Sequence, residues 1–358
     1  MNNPREELVS FLRGFFACPV VSFLGRHGFT ERLLAGGLRL DDSHSDALAA
    51  VLRYLVALEL LEETETRCFR ATALGEKVLK RFGAFCLIDS YGDYFHDLDW
   101  ILPSSSLPRP KVNRELNIIG SGQFHARKFF PDVYAHLAST QYDHLTDIGC
   151  GDGTFLQQAT LVRPGLSVTA VDLSEQAIGL VRQRLSEHLP LQKYSCVVCD
   201  GFDVDQWAQA VLAPPGTRQL ITLWFLLHEI SNGSVERLVF FLKQIHAHFP
   251  TATIAFAELC RLSPEELVSH RHTSIMPEYL LFHELSGQHI LREDELSKLI
   301  TSVPYRLICR REFDPILYNS KLLPSSILCI LAPKKSGEND LSEQFLSPPD
   351  DLLMRKKR

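Results

Sequence analysis

The chain has 358 residues, 45% hydrophobic and 22% charged, with a formal net charge of -6. That length predicts two packed units or one large α/β enzyme rather than a single small domain. The acidic balance argues against a nucleic-acid-binding surface, since the only concentrated positive charge is the terminal Arg355-Lys356-Lys357-Arg358. No run approaches the roughly 18 uninterrupted apolar residues of a membrane span. The N-terminal MNNPREELVSFLRG lacks the basic start, apolar core and cleavage site of a signal peptide. Nine scattered cysteines, an odd number, read as reduced core residues, so a cytoplasmic enzyme is expected.

Residues 7–100 read as helical with one short β excursion. After Ser45, Leu48, Val51, Leu52, Leu55 and Leu58 fall on one helical face. LLEETETRCFRAT then alternates as a hairpin, and ALGEKVLK returns to helix. This order predicts a winged-helix module over residues 1–100. Its recognition helix has Arg53 as its only cation, so a dimerisation role, not DNA binding, is expected for its apolar helices. Residues 101–142 read as a linker with pocket-lining helices, the Pro-, Ser- and Gly-rich stretch 101–124 being the connector. From 143 to 333, short apolar runs alternate with helical stretches: HLTDIGC, SVTAVDL, SCVVCD, QLITLWFLL and ATIAFAEL, then YRLICRREF and SSILCILAP. Continuous apolar strands in a βα series predict an α/β unit with a parallel sheet buried on both faces. Residues 334–358 lose periodicity and read as a flexible tail.

The most informative segment is Asp147-Ile148-Gly149-Cys150-Gly151-Asp152-Gly153-Thr154, which follows a predicted strand and opens a predicted helix. Glycines there permit a tight turn and a ligand against the backbone. Asp172, at the end of the next strand, suits both hydroxyls of a ribose. A dinucleotide fingerprint would need glycine at 154, where this chain has Thr154. Asp147 suits a ligand's ammonium and would repel a pyrophosphate. A purely structural glycine turn is the plainer alternative. Cys196 and Cys199, three apart on a strand, point to opposite faces and read as core.

The D-x-G-x-G-x-G form resembles motif I of class I S-adenosylmethionine-dependent methyltransferases. That resemblance implies a Rossmann-like seven-stranded methyltransferase domain with Asp147, Gly149, Gly151, Gly153, Asp172, Asp200 and Phe202 at the cofactor. The whole layout, with a fourth strand running into Leu227-His228-Glu229, resembles the small-molecule O-methyltransferases, whose histidine there is a general base. His228-Glu229-Ile230 stands where that family has His-Asp-Trp. A second pair, His283-Glu284 within MPEYLLFHELSGQ, resembles the metal-dependent 2-oxo acid C-methyltransferase branch, which acts on phenylpyruvate, 4-methyl-2-oxovalerate or 2-ketoarginine. By that resemblance His228, Glu229 and His283 would ligate a divalent metal, and imidazole with carboxylate suits Fe(II) or Zn(II). The metal would stabilise the enolate of a 2-oxo acid whose C3 attacks the sulfonium methyl, with His125 as base and His96 as the other candidate. A homodimer, small-molecule substrates and a place in antibiotic or other secondary-metabolite biosynthesis follow from the same likeness.

Two other readings compete. One is a metal-independent O-methyltransferase of a phenolic small molecule, with His228 as general base and Glu229 or Glu284 orienting its ring. The other is a regulatory protein that senses the cofactor and binds DNA, which needs a basic surface the sequence lacks. Asp89, Asp93, Asp97 and Asp99 form either an exposed acidic helix face or a guanidinium site. His246 and His248 read as helix C-terminal residues, and His270 and His272 as a weaker metal pair.

Overall fold

The computed structural model describes residues 4–334 except 42, 103–111, 128, 215, 271–274, 314–315 and 319–320. The expected C-terminal tail and His272 therefore lie outside the described residues. The chain divides into two compact units, 1–131 and 132–358.

In the first unit, helices Pro4–Arg26 and Phe29–Ala35 precede helix Asp46–Ala57, capped by the Ser45 hydroxyl accepting from Leu48 N–H. The hairpin Leu61–Glu65/Cys68–Ala71 follows and pairs with Leu38–Arg39 in a three-stranded antiparallel sheet. Ala49, Leu52 and Leu55 of the third helix are buried, with Leu48 and Leu58 packed against the same cluster and Val51 half-buried. Arg53 is paired with Glu63 of the hairpin, which neutralises that helix's one cation.

Two expectations for this unit need correction. The stretch read as a connector contains a helix, Arg114–Ala126, capped by Asn113. Glycines on both sides allow it to pack closely on helix Phe82–Asp89: an added Cβ at Gly120 would lie 2.5 Å from Leu87 N and one at Gly83 of the partner helix 2.6 Å from Gln123 Cβ. Gly120, within the stretch expected to be a connector, lies in the contact between this helix and helix Phe82–Asp89. Secondly, Leu8–Arg26 is long and apolar enough to cross a membrane by length and composition. Counting uninterrupted runs missed it because Arg13 breaks the run without lowering the average enough.

The second unit carries the expected α/β architecture. Its sheet strands are β1 (His144–Ile148), β2 (Ser167–Asp172), β3 (Tyr194–Val198), β4 (Gln219–Trp224), β5 (Thr253–Leu259), β6 (Tyr305–Phe313) and β7 (Ser326–Pro333). They lie in the order β3-β2-β1-β4-β5-β7-β6. The first five are parallel, and β7 runs antiparallel to both neighbours. The central strands are buried because both faces are covered: all five residues of β1 are buried, His144, Thr146 and Asp147 among them. The helices that matter for the site are α1 (Thr154–Val162), α2 (Glu175–Ser186), α3 (Leu227–Ser231), α4 (Val235–His248) and α5 (Met276–Ser286). Parallel strands bring every β-to-α turn to one edge of the sheet, where ligands of such folds bind.

Gly120→Ala provides a test of the glycine packing in the first unit. Alanine gains up to ~1 kcal/mol in helix propensity, but a Cβ driven into backbone costs ~1–3 kcal/mol. Calorimetry should show a lowered thermal midpoint, whereas an unchanged or raised one would mean the helices tolerate the methyl.

Candidate active site

The turn after β1 is built from three glycines, each required for a different reason. Gly149, Gly151 and Gly153 all have positive φ, at 71°, 55° and 76°. A Cβ at Gly149 would press on the Leu226 side chain at 3.0 Å, and one at Gly153 on Val181 at 2.9 Å. At Gly151 an added Cβ meets nothing within 4 Å, so the backbone there faces open space. Val171 O of β2 accepts from the N–H groups of Gly149 and Cys150 at 2.8 and 3.1 Å.

From behind, Arg184 of α2 staples this turn. Its Nε donates to Asp152 O and its Nη2 to Asp152 Oδ2, both at 3.0 Å, while Nη1 donates to Gln157 Oε1. The buried Asp152 carboxylate also accepts from Thr154 N–H and its hydroxyl, which starts α1. Thr154, the residue that breaks the dinucleotide fingerprint, is thus a working part of the turn.

Asp147, Asp172 and Asp200 stand at or just beyond the ends of three adjacent strands, as the sequence implied. Asp172 Oδ2 accepts from Gly151 N–H at 3.0 Å and Oδ1 from Ser174 N–H at 2.9 Å. Asp200 Oδ1 accepts from Phe202 N–H at 2.9 Å. Asp147 is only 1% exposed and accepts from the Thr222 hydroxyl at 2.6 Å. Burial raises its carboxyl to about 7, with the Thr222 hydrogen bond opposing and the Asp172 charge adding to the rise. The half-buried Phe202 packs its ring on Phe241, at 5.8 Å between centroids, and beneath the Arg237 guanidinium at 3.8 Å.

At the end of β4 the chain turns through Phe225, which has φ of 53°, a conformation rare for an aromatic residue. Its N–H donates to Ala257 O of β5, and α3 begins two residues later. His228, 5% exposed, follows on that helix. Its Nδ1 lies 2.8 Å from Glu258 Oε1, and its backbone N–H donates to Glu258 Oε2 at 3.1 Å. Glu258 is 1% exposed near the end of β5, and its Oε1 also accepts from Leu259 N–H at 2.8 Å. Two backbone donors and one imidazole donor offset the cost of burying this carboxylate.

The structure also brings His283 of α5 to His228, their rings perpendicular with centroids 4.7 Å apart. His283 Nδ1 lies 2.6 Å from Tyr279 O, so that nitrogen carries the proton. Burial and then His228 push the His283 imidazole down to about 3, so it is neutral at physiological pH. His289 N–H donates to His228 O, and Arg261 is ion-paired with Glu284.

Some predicted partners are not where the sequence placed them. The carboxylate on His228 is Glu258, rather than Glu229 or Glu284. Glu229 is one residue further along a helix and so projects about 100° away around its axis. Glu284 is directed to Arg261. Of the expected Fe(II) or Zn(II) ligand set His228, Glu229 and His283, the two histidines come together. Among the described residues, no group of three or more His, Cys, Asp or Glu side chains is arranged to hold a metal ion. The one signal for Glu258 was a single acid in the otherwise apolar run ATIAFAEL.

The other histidines are accounted for separately. His125 belongs to the first unit, in the last turn of helix Arg114–Ala126, ringed by Phe124, Phe129 and Phe130. Burial lowers its pKa to about 3, which makes it a weak base. His96 lies against Phe15 in the same unit. His246 and His248 occupy the last turn of α4, and His248 pairs with Asp205. All nine cysteines are free thiols.

A family model described as "Methyltransferase domain" matches residues 125–309, just over half of the chain. No curated protein compared with the chain matches it significantly. Among solved structures, an O-methyltransferase family protein from Burkholderia thailandensis superposes with a TM-score of 0.63 at 15% identity. That match covers 94% of this chain and all of the other. The mitomycin 7-O-methyltransferase MmcR gives 0.55 at 15% identity, over 92% of this chain and 98% of its own. Human N-acetylserotonin methyltransferase in complex with S-adenosylmethionine gives 0.56 at 14%, over 93% and 99%. At such identities the likeness shows the fold alone.

The Asp147 environment predicts a pH dependence. A ligand whose ammonium favours the ionised carboxylate binds more tightly as pH rises through about 7 and levels off above it. Calorimetric titration with S-adenosylhomocysteine between pH 5.5 and 8.5 should show that rise in the wild type and a flat, weaker profile in Asp147→Asn. A pH-independent wild type would show that Asp147 does not serve the ligand's charge.

Proposed function

The chain belongs to the methyltransferase-domain family and is an S-adenosylmethionine-dependent methyltransferase; from that premise we propose that it methylates a hydroxyl of a phenolic small molecule, with His228 as general base. The observation that carries this reading is the buried His228–Glu258 pair at 2.8 Å, beside the edge of the sheet where the glycine turn lies. S-adenosylmethionine fits the residues present: Gly151 leaves open space for ligand atoms against the backbone, and Asp172 and Asp200 mark adjacent strand ends for ribose and adenine, with Phe202 beside the latter. When bound, it supplies an electrophilic methyl on a sulfonium.

The protein's own part is proton management and positioning. Glu258 Oε1 accepts from Nδ1–H and so fixes the tautomer in which Nε2 of His228 is the basic nitrogen. That nitrogen takes the acceptor's hydroxyl proton as the oxygen becomes nucleophilic, and Glu258 stabilises the resulting imidazolium in a water-poor setting. General-base catalysis of this type contributes roughly 10²–10⁴-fold. The named roles of MmcR and the Burkholderia protein support an O-acceptor, and the former supports an antibiotic-type metabolite.

A second reading, C3-methylation of a 2-oxo acid such as 2-ketoarginine or phenylpyruvate, is favoured by one observation, the approach of His228 and His283. Those two imidazoles would supply nitrogen donors to a divalent ion.

The two readings separate by experiment. With phenolic acceptors, His228→Ala should lower kcat by roughly 10²–10⁴-fold and Glu258→Gln by less, both with S-adenosylhomocysteine affinity within about twofold of the wild type. Chelators should leave turnover unchanged. Methylation of 2-oxo acids that chelators abolish and added Fe(II) or Zn(II) restores would replace the phenol reading with the second.

We also propose a homodimer formed through helix Pro4–Arg26. Leu8, Phe11, Leu12, Phe15 and Phe16 are 56–79% exposed there, an apolar surface that a second copy would cover. Light scattering should report a mass near twice that of one chain, and about half that value for the double variant Phe11→Glu/Phe15→Glu. A monomeric wild type would refute the dimer.

A further inference from the structure

We propose that Arg237 is a positioning residue that couples the cofactor side of the site to the short helix bearing His228. The inference rests on reading Phe202 as the residue beside the adenine. Arg237 is the third residue of α4, and its N–H donates to the Ser234 cap. The side chain is rooted in a stiff element: Leu238, Phe241, Leu242 and Ile245 of that helix are fully buried in the sheet core.

Its guanidinium engages two different elements in two directions. In its plane, Nε donates to Ile230 O at 2.8 Å, near the end of α3. Over its face, the central carbon sits 3.8 Å from the Phe202 ring centroid. The cation thus meets the negative end of the one-turn helix while covering one face of the aromatic ring. Phe202 is itself held by Asp200, which accepts its N–H. A continuous path of contacts runs from Asp200 through Phe202 and Arg237 to Ile230, and so to His228 two residues back on α3.

Other elements also hold α3: Glu258 of β5 accepts from the His228 N–H and pairs with its ring, His289 N–H donates to His228 O, and Leu226, the residue before α3, packs against Gly149 of the glycine turn. Arg237 links this helix by a directed hydrogen bond and a ring contact to Phe202, just past the end of β3. A ligand that orders Phe202 orders the guanidinium stacked on it, and the Nε hydrogen bond carries that order into α3. Lysine cannot replace it, because an ammonium offers neither a flat face nor an in-plane donor at Nε.

Hydrogen exchange with S-adenosylhomocysteine alone tests this without knowledge of the acceptor. Saturating ligand should slow exchange in wild type both at the glycine turn, 149–154, and across 227–232. In Arg237→Met and in Arg237→Lys the turn should keep its protection and 227–232 should lose it, with ligand affinity down about three- to tenfold. Protection of 227–232 persisting in either variant, or absent from the wild type, would overturn the proposal. Phe202→Leu separates the underlying assumption: unchanged affinity would mean that Phe202 does not contact the adenine. Weakened affinity with α3 still coupled in Arg237→Met would mean that Arg237 is not the link.

Discussion

A carboxylate sealed inside a protein must be compensated where it lies, and Glu258 imposes that demand on the second unit. Water cannot reach it, so donors must come from the chain: its own neighbour Leu259 and both the backbone and ring of His228. Meeting this requirement fixes where α3 begins and which way its histidine faces. The same arrangement selects a tautomer and supports a transient positive charge on the ring. One interaction thereby ties the packing of β4 against β5 to the chemistry proposed at their ends.

The glycine turn shows a different economy. Gly149 and Gly153 are excluded from carrying side chains by their neighbours in the fold, and Gly151 faces space that only a ligand would use. Behind them Arg184 and Asp152 form a partly buried ion pair that holds the loop in shape. Arg184 is thirty-two residues away in sequence, and nothing in the motif itself announces it.

Much of the fold was legible. Seven largely apolar runs correspond to the seven strands, because a sheet covered on both faces buries most positions of its central strands and leaves a plain trace. Asp147, Asp172 and Asp200 were legible because each is an acid at or next to the close of a largely apolar run. The meeting of His228 with His283 was also anticipated, through resemblance rather than spacing. Glu258 was not: an acid buried within an apolar strand contradicts the pattern that made the strand recognisable, and its partner lies thirty residues earlier. Gly120 is obscured for the opposite reason. Small residues permit both chain reversal and close helix contact, and composition alone does not separate the two.

Phe225 carries a consequence of its own. A bulky residue held in the left-handed region stores roughly 1–3 kcal/mol, and glycine at 225 would release it. Relaxation there would also loosen the junction that aims His228 at its target. Durability and turnover consequently pull in opposite directions at this site, and a heat-resistant form of the enzyme is better sought by changes elsewhere in the molecule.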